Sequence, residues 1–190
     1  MYRVGSSLHD VLELFDKHGA EGYGEAVTQL EHALQCAVLA QRANASDALV
    51  AAALLHDIGH FLSGAAPEQC DPDIKHELVG AQFLSGLFGP EVTEPVAQHV
   101  MAKRYQCTTC PGYHDKLSPA SKRSLVQQGG FLSADEVSLF TANPYFKEAL
   151  QLRAWDDSGK VDDMQLPALE SFTPLLERLL KGCNPGREHA

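Results

Sequence analysis

The stretch ALVAAALL, residues 48–55, restricts the fold of this chain more than any other feature of its sequence. Asn44 and Asp47 precede it as a helix start, and the predicted helix over 47–60 is apolar on all sides from Ala48 to Leu55. A helix that is apolar all round must be covered by other elements on every face. We therefore expect this helix at the centre of the protein, where it ends in the polar pair His56-Asp57.

Apolar residues at helical spacing predict further helices along most of the chain. The predicted ranges are 6–18, 26–43, 73–87, 90–105, 118–127, 133–140, 143–156 and 167–181. A loop rich in Cys, Thr, Pro and Gly is expected after Tyr105, to about residue 117. Runs of alternating, β-branched residues, which would indicate strands, are missing from the sequence. The predicted fold class is therefore all-α, with residues 1–190 forming a single domain large enough for a hydrophobic core.

The composition excludes several classes of partner. Hydrophobic residues make up 44% of the chain, and the formal net charge of −10 argues against nucleic acid or an anionic membrane. No run approaches the ~18 consecutive apolar residues that a membrane span needs. The N-terminal residues lead into a helix rather than a signal peptide. The five cysteines, an odd number, then indicate reduced thiols and a cytoplasmic location.

Cys107 and Cys110 form a CxxC pair, which is a spacing found in zinc and redox sites. No second Cys or His pair follows at the spacing of a zinc ribbon. We therefore interpret the two residues as thiols in a surface loop, with a redox task left open.

A set of histidines and aspartates on five successive predicted helices indicates a metal site in the core. Taken singly, a histidine on a helix is more often a buried or surface residue than a ligand. Here each helix contributes one or two such groups, which is how helical bundles build metal centres. Successive members of the set are separated by about one helix and a turn, except the last two. The candidate ligands are His32, His56, Asp57, His76, His99 and Asp156.

Four imidazoles and two carboxylates suit borderline metals such as Fe, Mn or Zn. A minimal site of this kind needs His32, the His56-Asp57 pair and Asp156, and it holds one metal. The two further histidines are enough to complete a second site. Asp57, with two oxygens, is the natural bridge between the metals, so we expect a dinuclear centre with the ions roughly 3.5–4 Å apart.

Six motifs, in order over roughly residues 22–160, resemble those of the PhnZ-type phosphonate-cleaving HD-domain oxygenases. They are QLEHALQCA, AALLHDIGH, KHELVGAQFL, HVMAKRY, SPASKRSLVQQGG and LRAWDDSGK. These enzymes are similar to myo-inositol oxygenase and carry a mixed-valent Fe(II)/Fe(III) pair. The resemblance implies O2-dependent cleavage of the carbon–phosphorus bond of an α-hydroxyphosphonate, with release of phosphate and a carboxylate. It also implies a partner hydroxylase that installs the α-hydroxyl group.

A dianionic phosphonate needs cations and hydrogen-bond donors, and the spacing supplies candidates. His60 follows His56 by four residues, Lys103 follows His99 by four, and Arg153 precedes Asp156 by three. By the resemblance, His60, Lys103, Ser121 and Arg153 would hold the phosphonate, and His60 and the bridging Asp57 are the expected catalytic groups. A solvated helix face is the alternative for Lys103 and Arg153, and N-terminal capping is the alternative for Ser121.

The residues expected around the other end of the substrate match the family only in part. The family carries a tyrosine and a glutamate before the first histidine, and the resemblance assigns them to the substrate amine. Glu25, seven residues before His32, matches the glutamate, whereas Tyr23 is one residue closer to His32 than the family tyrosine and Gly22 takes that place. A glycine at this place would leave room for a bulkier trimethylammonium group. Glu25 and a nearby aromatic ring would then hold that group by charge and cation–π attraction. Expected substrates are 2-amino-1-hydroxyethylphosphonate, giving glycine, and its N-trimethyl analogue, giving glycine betaine.

Two other functions are compatible with the His56-Asp57 pair. A metal-dependent HD phosphohydrolase would attack a phosphoester or nucleotide with metal-bound hydroxide and need no O2. A non-catalytic HD module would sense a ligand, although the complete set of metal ligands argues against it. Dependence on oxygen separates the first alternative from the oxygenase.

Overall fold

The computed structural model describes residues 4–23, 26–63 and 75–182. These parts contain eleven α-helices and one 3₁₀ helix, and they show isolated β-bridges but no β-sheet, so the all-α prediction is confirmed. The assignment of residues 1–190 to one domain stays a prediction. The helices are α1 Leu8–His18, α2 Gln29–Arg42, α3 Asp47–Leu55, α4 Ile58–Ser63, α5 His76–Leu84, α6 Pro90–Thr109, α7 Tyr113–Lys116, α8 Pro119–Gln127, α9 Ala134–Thr141, α10 Phe146–Ser158 and α11 Thr173–Leu179, with the 3₁₀ helix at Leu169–Phe172.

Helix α3 occupies the centre, as its apolar sequence predicts. The Ser46 hydroxyl caps its N-terminus by accepting from the backbone N–H of Leu49, and every residue from Leu49 to Leu55 is buried. Helices α2, α6, α10 and α11 all pack against it. The C-terminal end of α3 is thereby enclosed, and this is the end that carries His56.

The single helix predicted over 47–60 is two helices with a break at His56 and Asp57. His56 itself keeps helical backbone angles, with φ of −61° and ψ of −33°. Its Nδ1 donates to the carbonyl oxygen of Ala53 at 3.0 Å, as His99 Nδ1 does to Val96 inside the continuous helix α6, so this bond alone does not account for the break. Because of the break, His60 is not on the same helix as His56, and the prediction that the two share one helix face is wrong.

Helices α4 and α5 touch backbone to backbone at Gly59 and Gly80. A β-carbon placed on Gly59 would come within 1.9 Å of the His76 carbonyl oxygen and 2.9 Å of the Gly80 nitrogen. Only glycine allows this approach. It brings the first residue of α5, His76, against the turn that carries Asp57.

Helix α6 is longer than predicted and continues through residues 106–109. Thr108 and Thr109 belong to this last turn, and their hydroxyls donate to the carbonyls four residues earlier. The helix stops before Pro111, which disfavours helical backbone at Cys110. The prediction of two thiols in a surface loop is therefore wrong for Cys107, which is buried on α6, and it holds for the exposure of Cys110.

The predicted starts and ends of the other helices differ from the observed ones by at most three residues, apart from two regions. The predicted helix over 167–181 is a 3₁₀ helix followed by α11, and the start predicted at Asp73 lies outside the described residues. Among the helices that the structure describes, none is both long enough and apolar enough to cross a membrane.

Candidate dinuclear metal centre

The six predicted metal ligands meet at one place in the core. His32 comes from α2, His56 and Asp57 from the break between α3 and α4, and His76 from the start of α5. His99 lies in the middle of α6, and Asp156 in the last turn of α10. All six side chains are buried, with at most 8% of any residue exposed.

One half of the cluster is formed around His32 and His56. Their Nε2 atoms lie 3.3 Å apart. Asp156 Oδ1 is 3.5 Å from His32 Nε2, and Asp57 Oδ2 is 3.3 Å from His56 Nε2. Two imidazole nitrogens and two carboxylate oxygens thus surround one point.

The other half is formed around His76 and His99, whose Nε2 atoms are 3.1 Å apart. Asp57 Oδ1 lies 3.4 Å from His76 Nε2 and 3.6 Å from His99 Nε2. Asp57 therefore directs one oxygen to each half of the cluster. This is the arrangement that a carboxylate bridging two ions requires.

Hydrogen bonds at Nδ1 orient three of the four histidines so that Nε2 faces the centre of the cluster. The Nδ1 atoms of His32, His56 and His99 each lie 2.7–3.0 Å from a backbone carbonyl oxygen, at Gly159, Ala53 and Val96 respectively. A carbonyl only accepts, so each of these Nδ1 atoms carries a proton, and Nε2 is the nitrogen left to bind a metal ion once the ring is neutral. In the neutral rings of His32 and His56, the facing Nε2 lone pairs at 3.3 Å would repel each other unless a cation lay between them.

The carboxylates also match a metal centre. Burial by itself would raise the pKa of Asp57, but His56 outweighs it and holds that pKa well below the usual value. Burial opposes ionisation of Asp156 too, and the Arg153 guanidinium overcomes it. Asp57 Oδ2 is buried and has no hydrogen-bond partner. An ionised, unpaired buried oxygen costs several kcal/mol unless a cation compensates it, so this donor set fits metal ions.

Cys36 is a neighbour of the first half that the sequence reasoning did not include. Its Sγ lies 3.7 Å from His32 Nε2, and a group of His32, Cys36 and His56 has the spacing of a metal-binding trio. Burial raises the pKa of the Cys36 thiol well above its usual value, and the thiol donates to the Trp155 carbonyl oxygen. A protonated thiol is a poor ligand, so Asp156 is the better third donor. Cys36 lies one turn after His32 in QLEHALQC, and this spacing is the sequence signal that could have identified it.

The predicted phosphonate contacts lie beside the cluster and are buried. Lys103 and Arg153 are each 3% exposed and Ser121 is 7% exposed, so none of them belongs to a solvated helix face. Ser121 is also not the cap of α8, because Ser118 takes that role and accepts from the Ser121 backbone N–H at 3.1 Å. Both alternatives to a binding role are therefore contradicted.

Each of these three side chains is held by a residue that the sequence reasoning missed. Lys103 donates to Ser124 Oγ at 2.8 Å, and Lys160 donates to Ser121 Oγ at 3.2 Å. Arg153 NH1 donates to Asp156 Oδ2 at 2.5 Å. Its remaining two nitrogens bond to Asp157 and to the Tyr113 hydroxyl. The spacing of Asp157 and Lys160 after Arg153 in LRAWDDSGK was the only sequence signal for these supporting contacts. No sequence signal indicated Tyr113 or Ser124.

Tyr23 packs against the first half of the cluster. Its ring stacks on the His32 imidazole with centroids 3.9 Å apart, and its hydroxyl is 3.5 Å from Asp156 Oδ1. The Lys160 ammonium is 5.5 Å from the centre of the ring. Glu25, the other residue predicted at this end of the substrate, lies outside the described residues.

His60 faces the second half from α4. Its ring stacks on His76 with centroids 4.0 Å apart, and its Nε2 lies 3.9 Å from Asp57 Oδ1. Burial lowers the pKa of His60 to about 3, so the imidazole is neutral at physiological pH. A neutral imidazole can donate one hydrogen bond to an anionic group without adding a charge.

The sequence profile of the HD-domain family matches residues 30–126. The chain is also 44% identical to a hydroxymethylphosphonate dioxygenase of Gimesia maris, over 93% of this chain and 90% of the relative. It is 42% identical to a [1-hydroxy-2-(trimethylamino)ethyl]phosphonate dioxygenase (glycine-betaine-forming) of Leisingera caerulea, over 88% and 87% of the two chains. The chain belongs to the PhnZ-type branch of the HD-domain family.

The chain is also 31% identical to an uncharacterized protein of Acanthamoeba polyphaga mimivirus, over 93% of this chain and 83% of the relative. The HD-domain match contains His32, the His56-Asp57 doublet, His76 and His99 but ends before Asp156. Asp156 and Arg153 both lie on α10, which is outside the matched region and packs against α2, α3 and α6.

Proposed function

We propose that this chain holds two iron ions and uses O2 to cleave the carbon–phosphorus bond of an α-hydroxyphosphonate. The products are inorganic phosphate and a carboxylate. Atoms balance when one oxygen of O2 joins carbon and the other joins phosphorus. The observation that carries the proposal is the position of Asp57 between two histidine pairs, with buried cations beside them. The relatives' names supply the reaction class.

His32, His56 and Asp156 would hold one ion, and His76 and His99 the other, with Asp57 shared. The distances support this division, because each Asp57 oxygen faces a different histidine pair. The Nδ1 bonds to backbone carbonyls orient the ligands and increase their basicity. Iron fits this proposal and zinc does not, because oxidation by O2 needs a metal that changes oxidation state.

A mixed-valent Fe(II)/Fe(III) pair at this centre would supply Lewis acidity toward the substrate hydroxyl and the redox capacity to use O2. The protein's own residues do the rest. Arg153 and Lys103 provide positive charge for the phosphonate, Ser121 provides a hydroxyl, and neutral His60 donates one hydrogen bond. Their burial excludes water, which strengthens each of these interactions.

The far end of the substrate would lie near Tyr23 and Glu25. The candidate substrates are 2-amino-1-hydroxyethylphosphonate and its N-trimethyl analogue, with glycine or glycine betaine as the carboxylate product. The name of the Gimesia maris relative adds hydroxymethylphosphonate, which has no second carbon and so no amino or trimethylammonium end. A hydroxylase would have to install the α-hydroxyl in a preceding step. The expected location is the cytoplasm.

The deciding experiment is a panel of these three α-hydroxyphosphonates followed by phosphorus NMR with and without O2. We expect phosphate from at least one substrate in air and none under strict anaerobiosis. Phosphate release that continues without O2 would favour the phosphohydrolase alternative and refute the oxygenase. Protein loaded only with zinc should be inactive, and robust turnover by it would exclude redox chemistry.

A further inference from the structure

Tyr113 lies 40 residues from Arg153 in the sequence, yet its hydroxyl contacts the guanidinium. Arg153 Nε donates to this hydroxyl at 3.2 Å, and the hydroxyl in turn donates to Asp157 Oδ2. Asp157 also accepts from Arg153 NH2 through its other oxygen. The three side chains thus form a closed ring of hydrogen bonds around one edge of the guanidinium.

The local fold explains how Tyr113 reaches this position. Helix α6 ends at Thr109, and Gly112, with φ of 77°, reverses the chain just before Tyr113. The Tyr113 ring then packs on the apolar cluster of Cys107, Leu117 and Leu125. The ring is held by apolar contacts, so its hydroxyl alone points toward α10.

The guanidinium has five N–H groups in a planar fork. Three of them are taken by the hydroxyl of Tyr113, by Asp157 and, at 2.5 Å, by Asp156 Oδ2. Within the parts of the chain that the structure describes, the other two N–H groups have no hydrogen-bond partner, one on each terminal nitrogen. Because the fork is rigid, holding three donors fixes the direction of the remaining two.

We propose that Tyr113, together with Asp157, is a positioning residue that aims the free N–H pair of Arg153 at the phosphonate. This rests on the proposed function, in which Arg153 binds that group. Tyr113 itself does not touch the reacting atoms. Burial, reinforced by Asp157, raises the pKa of Tyr113 and keeps the hydroxyl protonated. It therefore always donates to Asp157 and always accepts from Arg153, which gives the ring one fixed polarity.

The test is Tyr113→Phe in the iron-loaded enzyme, since this change keeps the ring and removes only the hydroxyl. We expect KM for the α-hydroxyphosphonate to rise about tenfold with kcat within about twofold of wild type, because a misdirected Arg153 bonds the phosphonate less well in the bound and transition states alike. Iron content should be unchanged. Asp157→Asn should act in the same direction. Tyr105→Phe is the matched control, because the Tyr105 ring packs on Phe140 and Phe146, away from Arg153.

Coupling to Arg153 separates positioning from a general structural role. In an Arg153→Ala background, Tyr113→Phe should change KM by less than about twofold, since nothing is left to position. An equal tenfold effect in both backgrounds would overturn the inference. The inference would also be overturned if Tyr113→Phe kept the wild-type KM while Arg153→Ala raised it. That result would leave the proposed function intact.

A measurement without turnover keeps the two proposals distinguishable. Inorganic phosphate binding to the metal-loaded protein is measured by titration calorimetry, and we expect about tenfold weaker binding for Tyr113→Phe. If wild type consumes no O2 with any phosphonate, the proposed function fails. Weaker phosphate binding would then still support anion positioning by Tyr113, and unchanged phosphate binding would refute it.

Discussion

Arg153 donates from NH1 to Asp156 Oδ2 at 2.5 Å, which joins the proposed phosphonate site to the proposed metal centre. Both residues lie on α10, three positions apart, and each is 3% exposed. A carboxylate in this position can face a metal with one oxygen and hold a substrate-binding cation with the other. Substrate binding and metal binding are thus neighbouring but separable tasks.

Arg153→Ala is expected to raise KM about 100-fold and leave two irons per chain. KM rises because the phosphonate loses a buried positive partner. Iron is retained because Asp156 still has His32 and the metal as partners. The measurements are steady-state O2 consumption and metal analysis. Loss of iron would show that Arg153 serves the metal centre instead.

Asp57→Ala is expected to lose both metals, because each of its oxygens faces one histidine pair. Metal content by elemental analysis after reconstitution checks this. Asp16→Ala, an exposed aspartate on α1, is the control and should keep both ions. Retention of two irons by Asp57→Ala would refute the bridging role.

Gly59→Ala is expected to lower the free energy of unfolding by about 3 kcal/mol, since the new methyl group would collide with the His76 backbone. Displacement of His76 should also weaken the metal held with His99. Gly80→Ala meets its nearest atom at 3.1 Å and should cost about 1 kcal/mol, and Gly22→Ala has nothing within 4 Å and should be nearly neutral. Urea denaturation of the three variants gives the comparison. Equal stability of Gly59→Ala and Gly22→Ala would contradict the close approach of α4 and α5.

The pH dependence of KM should report Lys103. Burial, followed by the repulsion of Arg153, lowers the pKa of Lys103 to about 7, although Asp156 and Asp57 act in the opposite direction and Lys160 adds repulsion. The ammonium needed to attract the phosphonate is present below that pH and is lost above it. KM should therefore rise between pH 7 and about pH 9, and Lys103→Arg, which stays charged, should remove the rise. An identical profile in both proteins would exclude Lys103 as its source.

Removal of metal should destabilise the protein, because the clustered Nε2 atoms of four histidines and the buried Asp57 Oδ2, which has no hydrogen-bond partner, then lack a bound cation. Binding to the folded state alone contributes about 2.7 kcal/mol when free metal is 100 times its Kd. Thermal unfolding with and without iron tests this, and the Asp57→Ala variant should show no metal-dependent shift. An apo protein as stable as the loaded one would contradict the metal assignment.

The local sequence pattern was sufficient to predict much of the fold and the candidate metal ligands. The buried character of α3 follows from its apolar residues, and five of the eleven described α-helices begin at a Ser or Thr side-chain cap, Ser46 and Ser133 among them. The six candidate ligands could be chosen because residue type and helix order are both readable in the sequence. The break after Leu55 could not be predicted, since the apolar pattern over 47–60 continues across it without a glycine or proline at His56 or Asp57.

What the sequence determined by itself was the helical class, the identity of the candidate ligands and the family motifs. Only the tertiary structure decided how Asp57 divides its oxygens between two histidine pairs, and that Lys103 and Arg153 are buried rather than solvated. It also placed Tyr113 against Arg153, 40 residues away. The physical reason is that these relationships join different helices, and their distances depend on how the helices pack around α3 rather than on spacing along any one of them.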